Sequence, residues 1–347
     1  MILKNLSLRN FRSFESRDFI LSPGLTVVAG HNSRGKTNLL EAVFFTLNGH
    51  GFREDREEEL IKFDTEGTSV RGVFGINAKE DTFEIDIRYK NGRTVKTYFV
   101  NRTSKRRDFY TKDLVKAVLF TPDQINIIKG SPSLRRDYFN KLLSVLDIDY
   151  KKKLTNYEMA LRRRNKVLEK HSNIEALKEE LKFWNEYLIK ESRYLVDKRR
   201  EYIEYLNSNK KLDSKEFSIE YVKNEFTQKR LDEVFEKERI IRKTMIGPQK
   251  DDFQISVSNG VLKKNVHHYA SRSEERLAVF WLKLNEVKFF ERTGVKPILL
   301  LDDIFSELDL DNKMIVLGLV ENYQTVATTT EDILLKEIKV EKTIINL

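Results

Sequence analysis

One stretch, Val27-Val28-Ala29-Gly30-His31-Asn32-Ser33-Arg34-Gly35-Lys36-Thr37-Asn38-Leu39-Leu40, constrains this chain more than any other. It reads as a short apolar strand, a glycine-bounded loop and the start of a helix. Gly30 to Thr37 fit the pattern G-x-x-x-x-G-K-[ST]. In that pattern loop N–H groups cradle phosphate oxygens, the lysine reaches the outer phosphates and the hydroxyl holds Mg²⁺. Gly30, His31, Asn32, Ser33, Arg34, Gly35 and Asn38 are therefore expected around the phosphates, with Lys36 at the reacting end and Thr37 on the metal. The glycines let the backbone approach the ligand closely. A nucleoside triphosphate is the expected ligand.

A second nucleotide signal stands far downstream, since Asp302 lies 266 residues beyond Lys36. Pro297-Ile298-Leu299-Leu300-Leu301-Asp302-Asp303 is an apolar strand ending in two carboxylates. Asp302 is expected to hold Mg²⁺ through its water shell, and Asp303 to polarise an attacking water. The last strand, Gln324 to Ala327, runs into Thr328-Thr329-Thr330, hydroxyls on the side where the phosphates belong, so Thr328 joins the candidate site. Compact P-loop folds keep such elements close in sequence. The long excursion predicts an α/β fold, an ABC-type P-loop ATPase head with a mixed sheet core, an antiparallel β-subdomain and an inserted helical, coiled-coil-like arm. The expected division is 1–130 for the first part of the head, 131–243 for the arm and 244–347 for the second part.

The intervening chain supports this plan. Ile2, Leu3, Leu6, Leu8 and Phe11 read as the inward positions of an edge strand, with Arg9 and Arg12 facing out. Arg53 to Glu59 carry two arginines among five acids, read as a solvated loop or as a nucleotide- or partner-sensing segment. From Ser69 to Val100 the period is two, and Asn91-Gly92 marks a hairpin. Its last strand leads into Arg102, Lys105, Arg106 and Arg107, a run suited to phosphodiester contact. Ser131 or Ser133 begins a helix with Leu134, Tyr138, Leu142 and Val145 on its apolar face. Leu154, Leu161 and Leu168 are spaced by seven, and after His171-Ser172-Asn173 the series Leu177, Leu181, Trp184, Leu188 and Leu195 resumes the seam, predicting an antiparallel helical pair. Between Lys151 and Lys170 eight basic residues, among them Lys151, Lys152, Lys153, Arg162, Arg163 and Arg164, face two acidic ones, a balance better explained by nucleic acid than by solvation alone. Ser271-Arg272-Ser273-Glu274-Glu275-Arg276 reads as a polar cap before the helix Leu277 to Phe290, an anion-binding position.

Composition narrows the function classes. The 347 residues are 34% charged and 40% hydrophobic, with 63 Lys and Arg against 54 Asp and Glu. That suits a globular protein with one highly charged, extended part. The absence of cysteine excludes disulfide frameworks, thiolate metal sites and cysteine catalysis, and suits a reducing compartment. No apolar run approaches the ~18 residues of a membrane span, and the N-terminus alternates apolar and polar residues instead of opening a signal peptide. The expectation is a cytoplasmic protein without an anchor.

Several segments together resemble one family, the RecF proteins of bacterial recombinational repair. They are LRNFRSF, GHNSRGKTNLLEA, the segment Phe52 to Leu60, TPDQxxIIKGSPSLRRDYF, the helical arm with RRRNK, GPQKDDF, ASRSEER and PILLLDDIFSELD. The resemblance implies an ATP-switched homodimer that binds DNA at gaps or single-strand/double-strand junctions, hydrolyses ATP slowly with Mg²⁺, and works with RecR and RecO to favour RecA loading. Carried over by motif, Asp303 would be the base and Asp302 the metal ligand. Ser271, Ser273 and Glu274 would belong to the signature segment that reaches ATP on the other subunit, Asp309 to the loop at the dimer seam, and Gln124 would sense the γ-phosphate. Two departures stand out. Ser273 occupies the usual signature glycine, and Gln249-Lys250 replace the usual His-Arg, a pair to which no role is assigned. The rival reading is an ATP-binding structural or interaction module with little or no turnover; a nuclease-associated ATPase is disfavoured.

Overall fold

A computed structural model describes all residues except 77, 78, 171, 172, 213, 261, 295, 308, 309 and 330–341. In chain order the elements are β1 (Ile2–Phe11), β2 (Phe14–Ile20), β3 (Leu25–Ala29), α1 (Lys36–Asn48), β4 (Gly67–Ile76), β5 (Lys79–Lys90), β6 (Arg93–Val100), β7 (Thr103–Lys105), α2 (Arg107–Lys112), β8 (Ala117–Phe120), α3 (Asn126–Lys129), α4 (Pro132–Leu146), α5 (Ile148–Lys170) and α6 (Ile174–Ser208). There follow β9 (Lys211–Leu212), β10 (Lys215–Val222), α7 (Gln228–Ile241), β11 (Asp252–Ser258), β12 (Lys263–Asn265), α8 (Val266–Tyr269), α9 (Arg272–Glu291), β13 (Ile298–Leu301), α10 (Leu310–Val320), β14 (Thr325–Thr329) and β15 (Lys342–Asn346). The chain packs as two compact units, Met1–Pro122 with Glu286–Leu347, and Asp123–Asn285. The boundary expected at 243/244 falls inside the second unit. Antiparallel pairing of β10 with β11 and the forked bond from Arg135 to Asp252, 2.7 and 3.1 Å, fasten the residues after that boundary to elements well before it.

In the first unit a five-stranded sheet runs in the order β15-β3-β14-β13-β8. The core sheet expected to be mixed is parallel at every described pairing. This is why distant segments converge: in a parallel sheet all strands end at one edge, where open α/β sheets bind ligands. Every residue of β3 and of β13 is buried, which explains why β13 is apolar throughout and β3 is broken only by Thr26. A six-stranded antiparallel sheet has the order β2-β1-β4-β5-β6-β7. β1 is interior and not the expected edge, because β2 doubles back and pairs along it. Asn91 and Gly92, both with positive φ (53° and 73°), make the hairpin turn that β5 and β6 require. Leu3, Leu6, Leu8, Phe11, Phe74 and Ile85 of this sheet share one core with Leu39, Leu40, Val43 and Phe45 of α1.

The second unit holds the four-stranded antiparallel sheet β12-β11-β10-β9 and the antiparallel pair α5 and α6. Asn173 caps α6 by accepting from the N–H groups of Glu175 and Ala176, while the rest of the expected turn lies outside the described residues. Leu168, Leu177, Leu181, Leu188 and Leu195 are buried as the spacing predicts. Leu154 and Leu161 are only half-buried, and the deeper seven-residue series on α5 is Tyr150, Tyr157 and Arg164. At the start of α4, Pro132 fills the first turn; Ser131 stands at the cap position but its hydroxyl bonds Ser133 Oγ at 2.6 Å instead. Leu134 and Val145 are exposed, and Phe139 and Leu143 are buried alongside Tyr138 and Leu142.

Candidate functional site

The phosphate loop follows β3 directly and runs into the first turn of α1. Ser33 and Gly35 take positive φ, 66° and 99°, the kind of left-handed backbone from which anion-binding concavities are built. A Cβ on Gly35 would lie 3.0 Å from Ser13 Oγ and 3.1 Å from the Phe14 ring, which explains glycine at that position. Lys36 is buried, and its Nζ donates to the carbonyls of Gly30 at 2.7 Å and His31 at 3.0 Å. The loop is folded around its own lysine, with His31, Asn32, Ser33 and Arg34 exposed at its crown.

The second segment arrives on β13. Thr37 Oγ1 donates to Asp302 Oδ1 at 3.0 Å, joining residues 265 positions apart. Thr328 Oγ1, from the end of β14, donates to the same oxygen at 2.8 Å and accepts the Asp303 N–H at 2.9 Å. Asp303 has φ of 48°, the left-handed region. The structure thus unites Lys36, Thr37, Asp302, Asp303 and Thr328. Thr328, expected against the phosphates, has its hydroxyl committed to the carboxylate and the backbone instead. Thr37 and Asp302 are hard oxygen donors of the kind Mg²⁺ prefers.

Beside the loop lies a network that sequence reading missed. Glu41 on α1 is fully buried and accepts from Arg12 Nε at 2.9 Å, Arg12 Nη2 at 3.0 Å and Arg53 Nη2 at 2.7 Å. Burial pushes the Glu41 carboxyl up, but the hydrogen bonds and charges of the two arginines outweigh it and hold it below the ordinary range. Arg12, expected to face out, turns inward for this reason. Asn38 acts as a bracket, accepting from Arg53 Nη2 at 2.7 Å and donating to Ser13 Oγ at 2.8 Å. The only signal was the motif pair FRSF and NLLE, which shows no partner in sequence.

In the second unit Ser271 and Glu274 form a reciprocal cap on α9. The Ser271 N–H donates to Glu274 Oε2 at 2.8 Å, and the Glu274 N–H donates to Ser271 Oγ at 3.3 Å. Lys264 at 2.8 Å and Lys215 at 3.1 Å also pair with Glu274. Burial raises its carboxyl, yet the bonds from Lys264, Ser271 and Lys215 bring it down to about 2. Because the folded value is depressed, the stabilisation is present above the ordinary carboxyl range and is lost as pH falls toward 2. Glu274→Gln is therefore expected to cost about 2 kcal/mol at pH 7 and progressively less below pH 4, read as urea denaturation of both proteins across that range. Ser273 is exposed on the first turn of α9, and Gln124 sits in a 3-10 turn, Pro122–Ile125. Asp309 lies outside the described residues.

Of the basic residues expected to meet DNA, Arg102, Lys105, Arg106 and Arg107 are exposed around β7 and α2, with Arg107 also donating to the Asn48 carbonyl at 3.1 Å. Lys151, Lys152, Arg162 and Arg163 are exposed on α5, and Lys153 is half-buried, 3.5 Å from Glu191. Arg164 corrects the expectation. It is 1% exposed, its guanidinium bonding Glu238 Oε2 at 2.6 Å, Thr244 Oγ1 at 2.7 Å and Asn185 Oδ1 at 2.8 Å. A helix turns by 100° per residue, so the third arginine of the run faces the seam while the first two face out.

Among the described residues no helix is long and apolar enough to cross a membrane. The family described as RecF/RecN/SMC N terminal domain matches residues 2–343. The DNA replication and repair protein RecF of Clostridium botulinum (strain Okra / Type B1) is 30% identical over 346 residues, 95% of this chain and 93% of that protein. A solved structure of the recombination mediator protein RecF-ATP in the RecFOR pathway is 30% identical, with a TM-score of 0.83 over 98% of this chain and 93% of that one. An Smc head domain with an extended coiled coil, derived from Pyrococcus furiosus, shares the fold at 19% identity and a TM-score of 0.56, over 99% of this chain and 93% of that one. The α/β architecture is that of an ABC-type ATPase head with a helical insertion. Matched along nearly its whole length, the chain belongs to the RecF family.

Proposed function

We propose that this protein is an ATP-dependent DNA-binding ATPase of recombinational repair. Two chains join head to head around ATP, close on DNA at a gap or a single-strand/double-strand junction, and open again on slow hydrolysis. The observation that carries the reading is the 3.0 Å bond between Thr37 and Asp302, which makes one oxygen-lined site from two segments far apart in sequence. The RecF-ATP relative supports ATP as the ligand. Bound Mg²⁺ would neutralise charge on the outer phosphates. Lys36 would exchange its loop carbonyls for phosphate oxygens, and the N–H groups of Gly30 to Thr37 would line the chain of phosphates. Asp303 would take a proton from the attacking water. Ser271, Ser273 and Glu274 would complete the site of the second copy, with Asp309 at the seam and Gln124 sensing the γ-phosphate. The exposed bases near β7 and on α5 would meet DNA phosphates. RecO and RecR, acting toward RecA, are the partners that family membership suggests.

Sedimentation tests the reading. With gapped duplex DNA and ATP the protein is expected to shift from monomer to dimer, and Lys36→Ala to lose the shift; a wild-type monomer under every nucleotide and DNA condition would overturn the clamp. A module that holds ATP without turnover is the second reading, favoured by a serine Cβ at Ser273 where the family has glycine. Phosphate release with gapped DNA no higher than background would select it.

A further inference from the structure

Three hydrogen bonds at the edge of the core sheet bear on how the two carboxylates are held. Thr328 is 1% exposed, on the last turn-out of β14. Its hydroxyl has one proton, which it gives to Asp302 Oδ1 at 2.8 Å, and it accepts the Asp303 N–H at 2.9 Å. Asp302 Oδ1 also accepts from Thr37 Oγ1 at 3.0 Å, so two hydroxyls, one at the start of α1 and one on β14, aim one carboxylate. The Asp303 N–H is bound where the chain leaves β13 and takes a left-handed φ of 48°, an arrangement that needs an external partner to stay in place.

We infer that Thr328 is a positioning residue: it orients Asp302 toward the metal and pins the backbone of Asp303, without touching the nucleotide itself. The inference rests on the reading of Asp302 as metal ligand and Asp303 as base. It assigns a reason to a threonine at this strand end. Any hydroxyl of the same reach would serve, whereas an apolar side chain of the same shape would take away the Thr328 acceptor of the Asp303 N–H and leave Asp302 with one donor fewer. Groups that orient a metal ligand from behind typically alter metal affinity or activity by 10–100-fold when removed.

The test compares Thr328→Val, which keeps volume and β-branching, with Thr328→Ser, which keeps the hydroxyl. Manganese affinity is read by electron paramagnetic resonance on the full chain with a slowly hydrolysed ATP analogue; nucleotide affinity is read separately in chelator. Thr328→Val is expected to weaken manganese binding by about tenfold or more and to lower kcat by a similar factor, with metal-free nucleotide affinity changed less than about twofold. Thr328→Ser is expected to restore both. Wild-type manganese affinity in Thr328→Val, with both variants folded by circular dichroism, would overturn the inference alone. So would a loss confined to metal-free nucleotide binding, which would make Thr328 a ligand contact. Absence of nucleotide-dependent manganese binding by the wild-type protein would instead sink the reading of the whole site.

Discussion

Asp251→Ala is expected to destabilise the protein by about 3–5 kcal/mol, because it strands a buried arginine. Arg199 on α6 is 1% exposed, and its guanidinium bonds Asp251 Oδ2 at 2.6 Å, the Pro248 carbonyl and Asn140 Oδ1 at 2.9 Å, and Tyr150 Oη at 3.2 Å. Burial works against that cation, but Tyr150, Tyr221 and Asp251 outweigh it and hold Arg199 above its ordinary range. Asp251 is itself fully buried and accepts from Tyr221 Oη and from the Asn224 N–H, the latter at 2.7 Å. Removing the carboxylate leaves a charge, a phenol and an amide without their partner. Against a total stability of roughly 5–15 kcal/mol, the loss is large enough to bring the variant near its unfolding threshold at 37 °C. Urea denaturation measures it, and Arg199→Met combined with Asp251→Ala is expected to recover part of the loss by removing the stranded charge. A loss below about 1 kcal/mol would mean that water reaches Arg199 in the folded state. The network also supplies a reason for the two aspartates of the motif GPQKDDF: the first anchors α6, and the second holds Arg135.

Asp303→Asn is expected to lower ATP turnover by about 10²–10⁴-fold while leaving ATP-dependent dimerisation intact, the signature of a lost proton acceptor. The choice of asparagine follows from the backbone. At φ of 48° asparagine is among the few residues that sit without strain, and its N–H can still donate to Thr328 Oγ1. Asp303→Ala would mix the loss of the carboxylate with backbone strain of roughly 1–2 kcal/mol, and would not isolate the chemistry. Single-turnover phosphate release and sedimentation on the same samples separate the outcomes. Dimer retained with turnover gone supports the assignment, whereas turnover within threefold of wild type would remove Asp303 from the role of base.

Local patterns alone identified the loop Gly30 to Thr37, the paired carboxylates after β13, the hairpin at Asn91-Gly92, a polar cap in the segment from Ser271 and the long helical pair, although α9 starts at Arg272 and not at Leu277. Each is written within a few consecutive residues, since it depends on backbone conformation and on periodicity. Which side chain meets which was legible only in the tertiary structure. Arg163 and Arg164 are neighbours in one basic run, yet one is exposed and the other closes a buried ion pair with Glu238, 74 positions away. Thr328 and Asp302 meet because β14 and β13 are parallel neighbours, and Arg12 turns inward because α1 presents Glu41 beside it. Such partnerships are set by strand order and helix register across hundreds of residues, and a buried charge takes whichever partner that packing brings within reach.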